Sequence, residues 1–388
     1  MQIYLDYSAT TPQRREVAAK IQQVTSTQWG NASSLHSWGE RAALVLEEAR
    51  FQVSRLINAS DPEAIAFTSG GTEANNLAIF GITRQYCQPQ HLIISSVEHS
   101  AIAEPVKLLE NWGWQVTRLA VNRQGRVDPG ELKASLQDNT VLVSIIYGQS
   151  EVGTLQPIED LAAIARDRGV LFHTDAVQVA GRLPLDVKGL GVDLLSLSSH
   201  KLYGPQGIGA LYRGRDVELM PLLLGGGQES GLRSGTQAIS LIAGFGIAAD
   251  LANKELVEER ARLRELRDRF FDLLADCPYL IPTGDRLHRL PHHLSFCLTP
   301  PLAGEVTGKA IVRQMNLAGI AISAGSACHS GKLSPSPILK AMGYDDAMAL
   351  AGIRFSLGKE TTPEDIDWTA MVLKQILERL IAKMVVLQ

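Results

Sequence analysis

The sequence holds few cysteines, and they form no pattern. Cys87, Cys277, Cys297 and Cys328 make no C-x-x-C pair and no metal-like spacing, which argues against a zinc site or a disulfide framework and fits a reducing cytoplasm. There is no dense run of lysine and arginine, and 37 basic against 41 acidic residues leave a formal net charge of -4. That balance gives no electrostatic ground for binding nucleic acid or an anionic membrane, and a small substrate suits it better. Long apolar runs are missing too. The most apolar window, residues 239–252, is interrupted by glycines and polar residues; it falls short of the roughly 20 apolar residues of a membrane span and is expected to be a buried helix. The opening Gln2-Ile3-Tyr4-Leu5 is strand-like, with no basic and apolar leader before it, so no signal peptide is expected. Internal repeats and low-complexity segments are absent.

What is present is the composition of an ordinary globular enzyme, with 45% hydrophobic and 20% charged residues over 388 positions. At that length two packed domains are the default. Strand-length apolar runs at 64–68, 91–95, 141–146, 170–173 and 194–197 alternate with helical patterns at 72–82, 100–112, 129–137 and 158–168. This alternation predicts an α/β fold with a mostly parallel sheet covered by helices, in which ligands bind beyond the carboxyl ends of the strands. From about Gln237 to Cys277 the pattern is long, helical and increasingly charged, as a connector between domains would be. Short strands are expected at 293–298, 320–323 and 353–356, and helices at 306–317 and 363–384, the last capped by Thr362 with Pro363 at its first position.

Polar groups cluster just after the predicted strands. In Thr68-Ser69-Gly70-Gly71-Thr72-Glu73 a strand meets a helix through two glycines, so backbone N–H groups and a hydroxyl can surround a phosphate; read alone, the same glycines suit a plain turn. Asp175 ends the run Leu171-Phe172-His173-Thr174, where a buried carboxylate calls for a cation such as a protonated pyridine nitrogen, or else caps the following turn. A third strand runs into Ser198-Ser199-His200-Lys201. A lysine flanked by phosphate-binding hydroxyls and lying downstream of such an aspartate is what a pyridoxal-phosphate site demands.

With these segments in place, the chain resembles the class V aminotransferase-like, fold-type I enzymes, and among them the cysteine desulfurases of the NifS and IscS type. The resemblance runs from Leu5-Asp6-Tyr7-Ser8-Ala9-Thr10-Thr11-Pro12 through Gly30-Asn31-Ala32-Ser33-Ser34 to Ile353-Arg354-Phe355-Ser356-Leu357-Gly358. It implies a large cofactor domain over 15–255, a smaller α+β domain from 1–14 and 256–388, and a homodimer. It further implies pyridoxal 5'-phosphate held by Gly71, Thr72, Ser198 and His200, by Thr236 of the neighbouring subunit, and covalently by Lys201. His99 would stack on the ring and move protons, Asp175 would pair with the pyridine nitrogen, and Gln178 and position 150 would reach the ring oxygen. Asn31 and Arg354 would bind the substrate carboxylate. Read alone, His99 also fits a helix cap and Arg354 a surface arginine.

Cys328 sets the desulfurase branch apart from transaminases. It lies in the Gly- and Ser-rich stretch Ser323 to Ser334, where an exposed thiolate can reach a substrate sulfur and carry it away. Cys297 and Cys277 follow apolar patterns and are expected in the core. The long form of the Cys328 stretch resembles the IscS and NifS branch more than the SufS branch. The implied reaction converts L-cysteine to alanine and a persulfide on Cys328, passed to an acceptor such as an iron-sulfur scaffold, toward which Cys328 could act as a transient cluster ligand; no resident metal is expected. A selenocysteine or cystine lyase, or a slow accessory protein kept for partner binding, are the alternatives. Two departures stand out: Gln149-Ser150-Glu151-Val152-Gly153 where the family has Asn-Asn-Glu-Ile-Gly, and Val177 in place of a usual alanine.

Overall fold

The computed structural model describes residues 2–300, 302–325 and 334–387. Thirteen strands occur among them: β1 (Ile3–Tyr4), β2 (Ile65–Thr68), β3 (His91–Ser95), β4 (Gln115–Leu119), β5 (Thr140–Ile146), β6 (Leu171–Asp175), β7 (Leu194–Ser198), β8 (Gly209–Arg213), β9 (Leu280–Pro282), β10 (His293–Leu298), β11 (Ile320–Ala321), β12 (Ser323–Ala324) and β13 (Gly352–Ser356). The helices are α1 (Arg15–Thr27), α2 (Ser37–Leu56), α3 (Gly71–Thr83), α4 (Ser100–Asn111), α5 (Pro129–Ser135), α6 (Ile158–Arg166), α7 (Val187–Leu190), α8 (Ile239–Leu273), α9 (Gly308–Leu317), α10 (Pro337–Ala341), α11 (Asp346–Leu350) and α12 (Pro363–Leu387).

Seven strands form one sheet in the order β2-β8-β7-β6-β5-β3-β4. The pairs β3/β4, β3/β5, β5/β6 and β6/β7 are parallel, whereas β8 runs antiparallel to both β7 and β2. Six of the seven strands therefore point the same way, and the ends Thr68, Ser95, Ile146, Asp175 and Ser198 share one edge. The strands are buried almost throughout, as sheets covered on both faces require. On one side, α2 buries Ala42, Val45, Leu46, Ala49, Val53 and Leu56, a helical stripe at 3.6-residue spacing, and packs on α8. Close approach needs small residues there: a Cβ on Gly246 would stand 2.7 Å from the Ala49 backbone.

A second apolar cluster joins Ile3 and Leu5 to Leu263, Phe270, Phe296, Ile311, Phe355 and Leu373. It is built on the antiparallel sheet β12-β13-β10-β9, on the pair β1-β11, and on α9 and α12. The long helix α8 serves both clusters, with Ile242 and Phe245 in the first and Leu263 and Phe270 in the second. At α12 the cap is reciprocal: the Thr362 hydroxyl accepts from Asp365 N–H at 3.2 Å and the Asp365 carboxylate accepts from Thr362 N–H at 3.0 Å.

One sequence expectation is corrected here: the apolar run 320–323 is two strands in different sheets, because Ile322 interrupts it and β12 turns to pair with β13. The mostly parallel sheet is as expected, with one antiparallel member, β8, which follows the turn-rich Gly204-Pro205-Gln206-Gly207. Helices α1 and α2 supply much of the cover on the sheet.

Candidate functional site

The residues that follow the aligned strand ends converge. After β2, the N-terminus of α3 begins at Gly71 and Thr72. A Cβ at Gly71 would lie 2.8 Å from Val177 Cγ2 and 3.3 Å from Ser198 Cβ, so glycine alone lets this turn sit between the ends of β6 and β7. Glu73 closes the turn by accepting from Ser69 N–H at 2.7 Å, and Arg233 pairs with it at 2.9 Å. Ser198 is buried at the end of β7. Free helix N–H groups, Thr72 and the neighbouring Ser198 form a donor set suited to a phosphate.

Asp175, buried at the end of β6, is fixed by two donors, Asn75 Nδ2 at 2.7 Å and Val177 N–H at 3.0 Å. Among the described residues no cation lies within ion-pair distance of it. A buried carboxylate in that state fits a cationic ring nitrogen, since burying one without a positive partner is costly. The phosphate cradle and the unmatched carboxylate together fit pyridoxal phosphate. The turn-capping alternative for Asp175 is also realised, through Val177.

Lys201 donates from Nζ to the carbonyls of Ser8 and Ala9 at 2.6 and 2.7 Å. Gln178 Nε2 donates to the same Ser8 carbonyl at 2.9 Å, and the Thr10 hydroxyl bonds His200 Nδ1 at 3.0 Å. Residues 8–11 are thus draped over the ends of β6 and β7. Burial, and after it the Lys201 charge, hold the His200 imidazole down at about 4, so His200 is neutral at physiological pH. His99 caps α4, its Nδ1 accepting from Ala101 N–H at 3.1 Å, which leaves the proton of the neutral ring on Nε2.

Arg354 is buried, contrary to the surface alternative. From β13 its Nη2 pairs with Asp6 at 2.6 Å and its Nη1 donates to the Ser150 carbonyl at 3.0 Å. His293 Nε2 donates to that same carbonyl at 3.0 Å. The turn bearing Ser150 is drawn tight by Gln149, whose side-chain oxygen accepts from Glu151 and Val152 N–H at 2.5 and 2.9 Å. Gly153, at φ +78°, could take no side chain, because a Cβ would stand 2.5 Å from His293 Nδ1.

Two expected site residues make no side-chain hydrogen bond to this group among the described residues. Asn31 is exposed and turns back on its own segment, its Oδ1 accepting from Ser33 N–H at 2.9 Å. Thr236 is exposed on a segment tied down by Arg233, by Gln228, which accepts from Gly235 N–H at 2.8 Å, and by Gln237, which donates to Glu229 at 2.9 Å. Cys328 lies outside the described residues. Cys297 and Cys277 are buried as expected, and burial pushes the Cys297 thiol up to about 12. Asn75, Glu98 and the carbonyls of Ser8 and Ala9 were missed as site residues. Asn75 and Glu98 lie close to residues named from the sequence, and Ser8 and Ala9 lie inside the quoted Leu5–Pro12 segment, yet the partners are distant in sequence.

A family model described as aminotransferase class-V matches residues 3–368. The chain belongs to that family. The class-V enzyme is 42% identical to a cysteine desulfurase IscS of Dictyoglomus turgidum over 381 residues, covering 98% of this chain and 95% of the relative. An IscS cysteine desulfurase of Pseudomonas putida is also 42% identical, over 97% of this chain and 93% of its own. Among solved structures, a NifS-like protein superposes with a TM-score of 0.90 at 32% identity, covering 97% of this chain and 100% of its own. A structure described as SspA in complex with cysteine gives a TM-score of 0.81 at 33% identity, over 92% of this chain and 99% of that one. The fold is that of the NifS-like, fold-type I enzymes, and the class-V enzyme depends on pyridoxal phosphate.

Proposed function

We propose that the chain is a cysteine desulfurase, taking sulfur from L-cysteine onto Cys328 and leaving L-alanine. What carries this reading is a full-length likeness to cysteine desulfurases joined to one local arrangement. Lys201 and Asp175 emerge from neighbouring strands onto the edge where the Gly71 turn opens. Bound pyridoxal phosphate supplies an electron sink that stabilises charge at the substrate α-carbon. Gly71, Thr72, Ser198 and His200 hold its phosphate, with Thr236 contributed from a second subunit. Asp175 would pair with the ring nitrogen, His99 would contact the ring, and Gln178 and Ser150 would bond the ring oxygen.

Lys201 would hold the cofactor, and its Nζ is the group placed to take the substrate's α-proton. Arg354, steadied by Asp6 and the Ser150 carbonyl, receives the substrate carboxylate, a role that the family resemblance gives to Asn31 as well. The Cys328 thiolate then attacks the substrate sulfur; the carbon–sulfur bond breaks as the sulfur–sulfur bond forms, the β-carbon takes up a proton, and Lys201 Nζ returns a proton to the α-carbon to give alanine. Cysteine and the enzyme thiol thus become alanine and an enzyme persulfide, with no outside oxidant. The persulfide passes to an acceptor such as an iron-sulfur scaffold, in the cytoplasm.

Anaerobic incubation with L-cysteine, thiol trapping and mass spectrometry of the intact chain test this. One added sulfur on Cys328 and an equivalent of alanine are expected, and Lys201→Ala should abolish both along with the visible absorbance of the lysine-bound cofactor. Alanine release with no sulfur on Cys328, or cofactor trapped by borohydride on another lysine, would overturn the reading.

A further inference from the structure

Strands β3 and β5 run side by side from His91 to Ile94 and then part. Ser96 N–H turns away to the Leu119 carbonyl, while β5 continues beside β6 to the pair Ile146–Asp175. The parting strips the β3-facing N–H of Ile146 of a ladder partner. The Glu98 carboxyl fills the gap. Its Oε1 accepts from Ile146 N–H at 2.9 Å, from Ser95 N–H at 3.3 Å and from the Ser95 hydroxyl at 2.5 Å, and that hydroxyl accepts in turn from Val97 N–H at 3.2 Å. One carboxyl oxygen thus ties the end of β3, the end of β5 and the turn that delivers His99.

The second oxygen, Oε2, is buried and has no hydrogen-bond partner, and among the described residues no cation lies within ion-pair distance of Glu98. An ionised carboxylate in that position would be desolvated, unpaired and close to Asp175.

We propose that Glu98 is a positioning residue of the cofactor site: as a neutral carboxylic acid it plugs the cleft between the ends of β3 and β5 and sets the backbone on which His99 stands. Burial first, then the charge of Asp175, raise Glu98 to about 8 against the opposing bonds from Ser95 and Ile146, so the acid keeps its proton at neutral pH. Asp175 is the charged group that acts on it. A neutral plug leaves the pairing with a cationic ring to Asp175. A charged plug would compete for that cation and repel Asp175.

The inference rests on reading Asp175 and His99 as ring contacts, and the experiment separates the two. Glu98→Gln, which keeps the acceptor and has no charge, and Glu98→Ala, which empties the cleft, are compared with the parent. Pyridoxal-phosphate Kd and the visible circular dichroism of the bound cofactor are measured at pH 7, with Asp175→Ala and Lys201→Ala as controls. The Gln variant is expected to keep Kd within about twofold and the same dichroic band, while the Ala variant weakens Kd roughly tenfold and alters the band; that span matches about one buried hydrogen-bonded contact. A Gln variant that loses tenfold or more would show that the charge is needed and overturn the proposal, even if the Ala variant fails to fold. An Ala variant matching the parent in both readouts would overturn it as well. Controls that bind cofactor as the parent does would remove the ring-contact reading, and the inference with it.

Discussion

Glu151 shows how a single buried group couples this site to pH. It lies on the turn after β5, and its Oε1 is buried without a hydrogen-bond partner, 2.5 Å from where a Cβ on Gly325 would stand. Burial raises it from an ordinary 4.5 to about 7, opposed by the Ser336 hydroxyl and the Arg354 charge. The folded chain therefore keeps this proton to a higher pH than the unfolded chain. Its contribution is complete below about 4.5 and is lost as pH rises through about 7. Glu151→Gln should consequently gain on the parent as pH goes from 5 to 7, by up to about 1.4 kcal/mol per pH unit. Urea unfolding at a series of pH values reads this directly, and a parent–variant gap that stays constant would contradict it. Lys201 and Asp175 were legible in the sequence because each closes an apolar run at a strand end. Asn75, Glu98 and Ser8 were not, since their partners lie 100, 48 and 170 residues away, and no local periodicity encodes such a meeting.

At the level of the elements, the exposed side of β2 explains a pair that has no place in the chemistry. β2 is an edge strand, and an edge leaves backbone groups unpaired. Here Glu229 accepts from Phe67 N–H at 2.8 Å and Arg50 donates to the Ile65 carbonyl, while the two side chains pair at 2.9 Å. Side chains from α2 and from the segment after β8 thus stand in for a missing strand beside the phosphate turn. Glu229→Ala leaves the buried Arg50 with only the half-exposed Glu47, at 3.4 Å, and Phe67 N–H without its acceptor; it should cost about 3 kcal/mol, read as a lower denaturant midpoint with an unchanged slope. A loss under about 1 kcal/mol would mean that water takes over the role of the carboxylate. The reading of elements succeeded where one pattern ran unbroken, as in β3 and β10, whose bounds match. It failed where neighbours decide: β8 follows a turn-rich run, and the two strands after α9 divide between sheets according to what lies opposite them.

On the scale of the whole molecule, α2 presents Trp38, Leu44 and Phe51 to solvent at 49, 71 and 51% exposure, and Leu224 and Trp29 are exposed as well. These exposed apolar side chains are in keeping with the proposed homodimer, in which Thr236 would serve the neighbour's phosphate. Mixing Lys201→Ala chains with Thr236→Ala chains should restore activity at one site per heterodimer, because both lesions then fall in the other site. Confirmed subunit exchange without recovery would place Thr236 in its own chain's site. No helix among the described residues is long and apolar enough to cross a membrane. The draping of residues 3–11 reaches further than the chemistry it covers. These few residues bond to Gln178 and Lys201, pair with Ile320 and Ala321, and meet Arg354 across 348 positions. During synthesis they leave the ribosome long before those partners exist, and so wait unpaired while the central sheet takes shape. Their docking is set by contacts of very high sequence separation, bringing Ile3 and Leu5 into the second apolar cluster while the Ser8 and Ala9 carbonyls meet Lys201. A nascent chain shorter than about residue 356 would carry Lys201 and Asp175 and still lack the strand whose Arg354 seats Asp6, so the first residues made are among the last to find their partners.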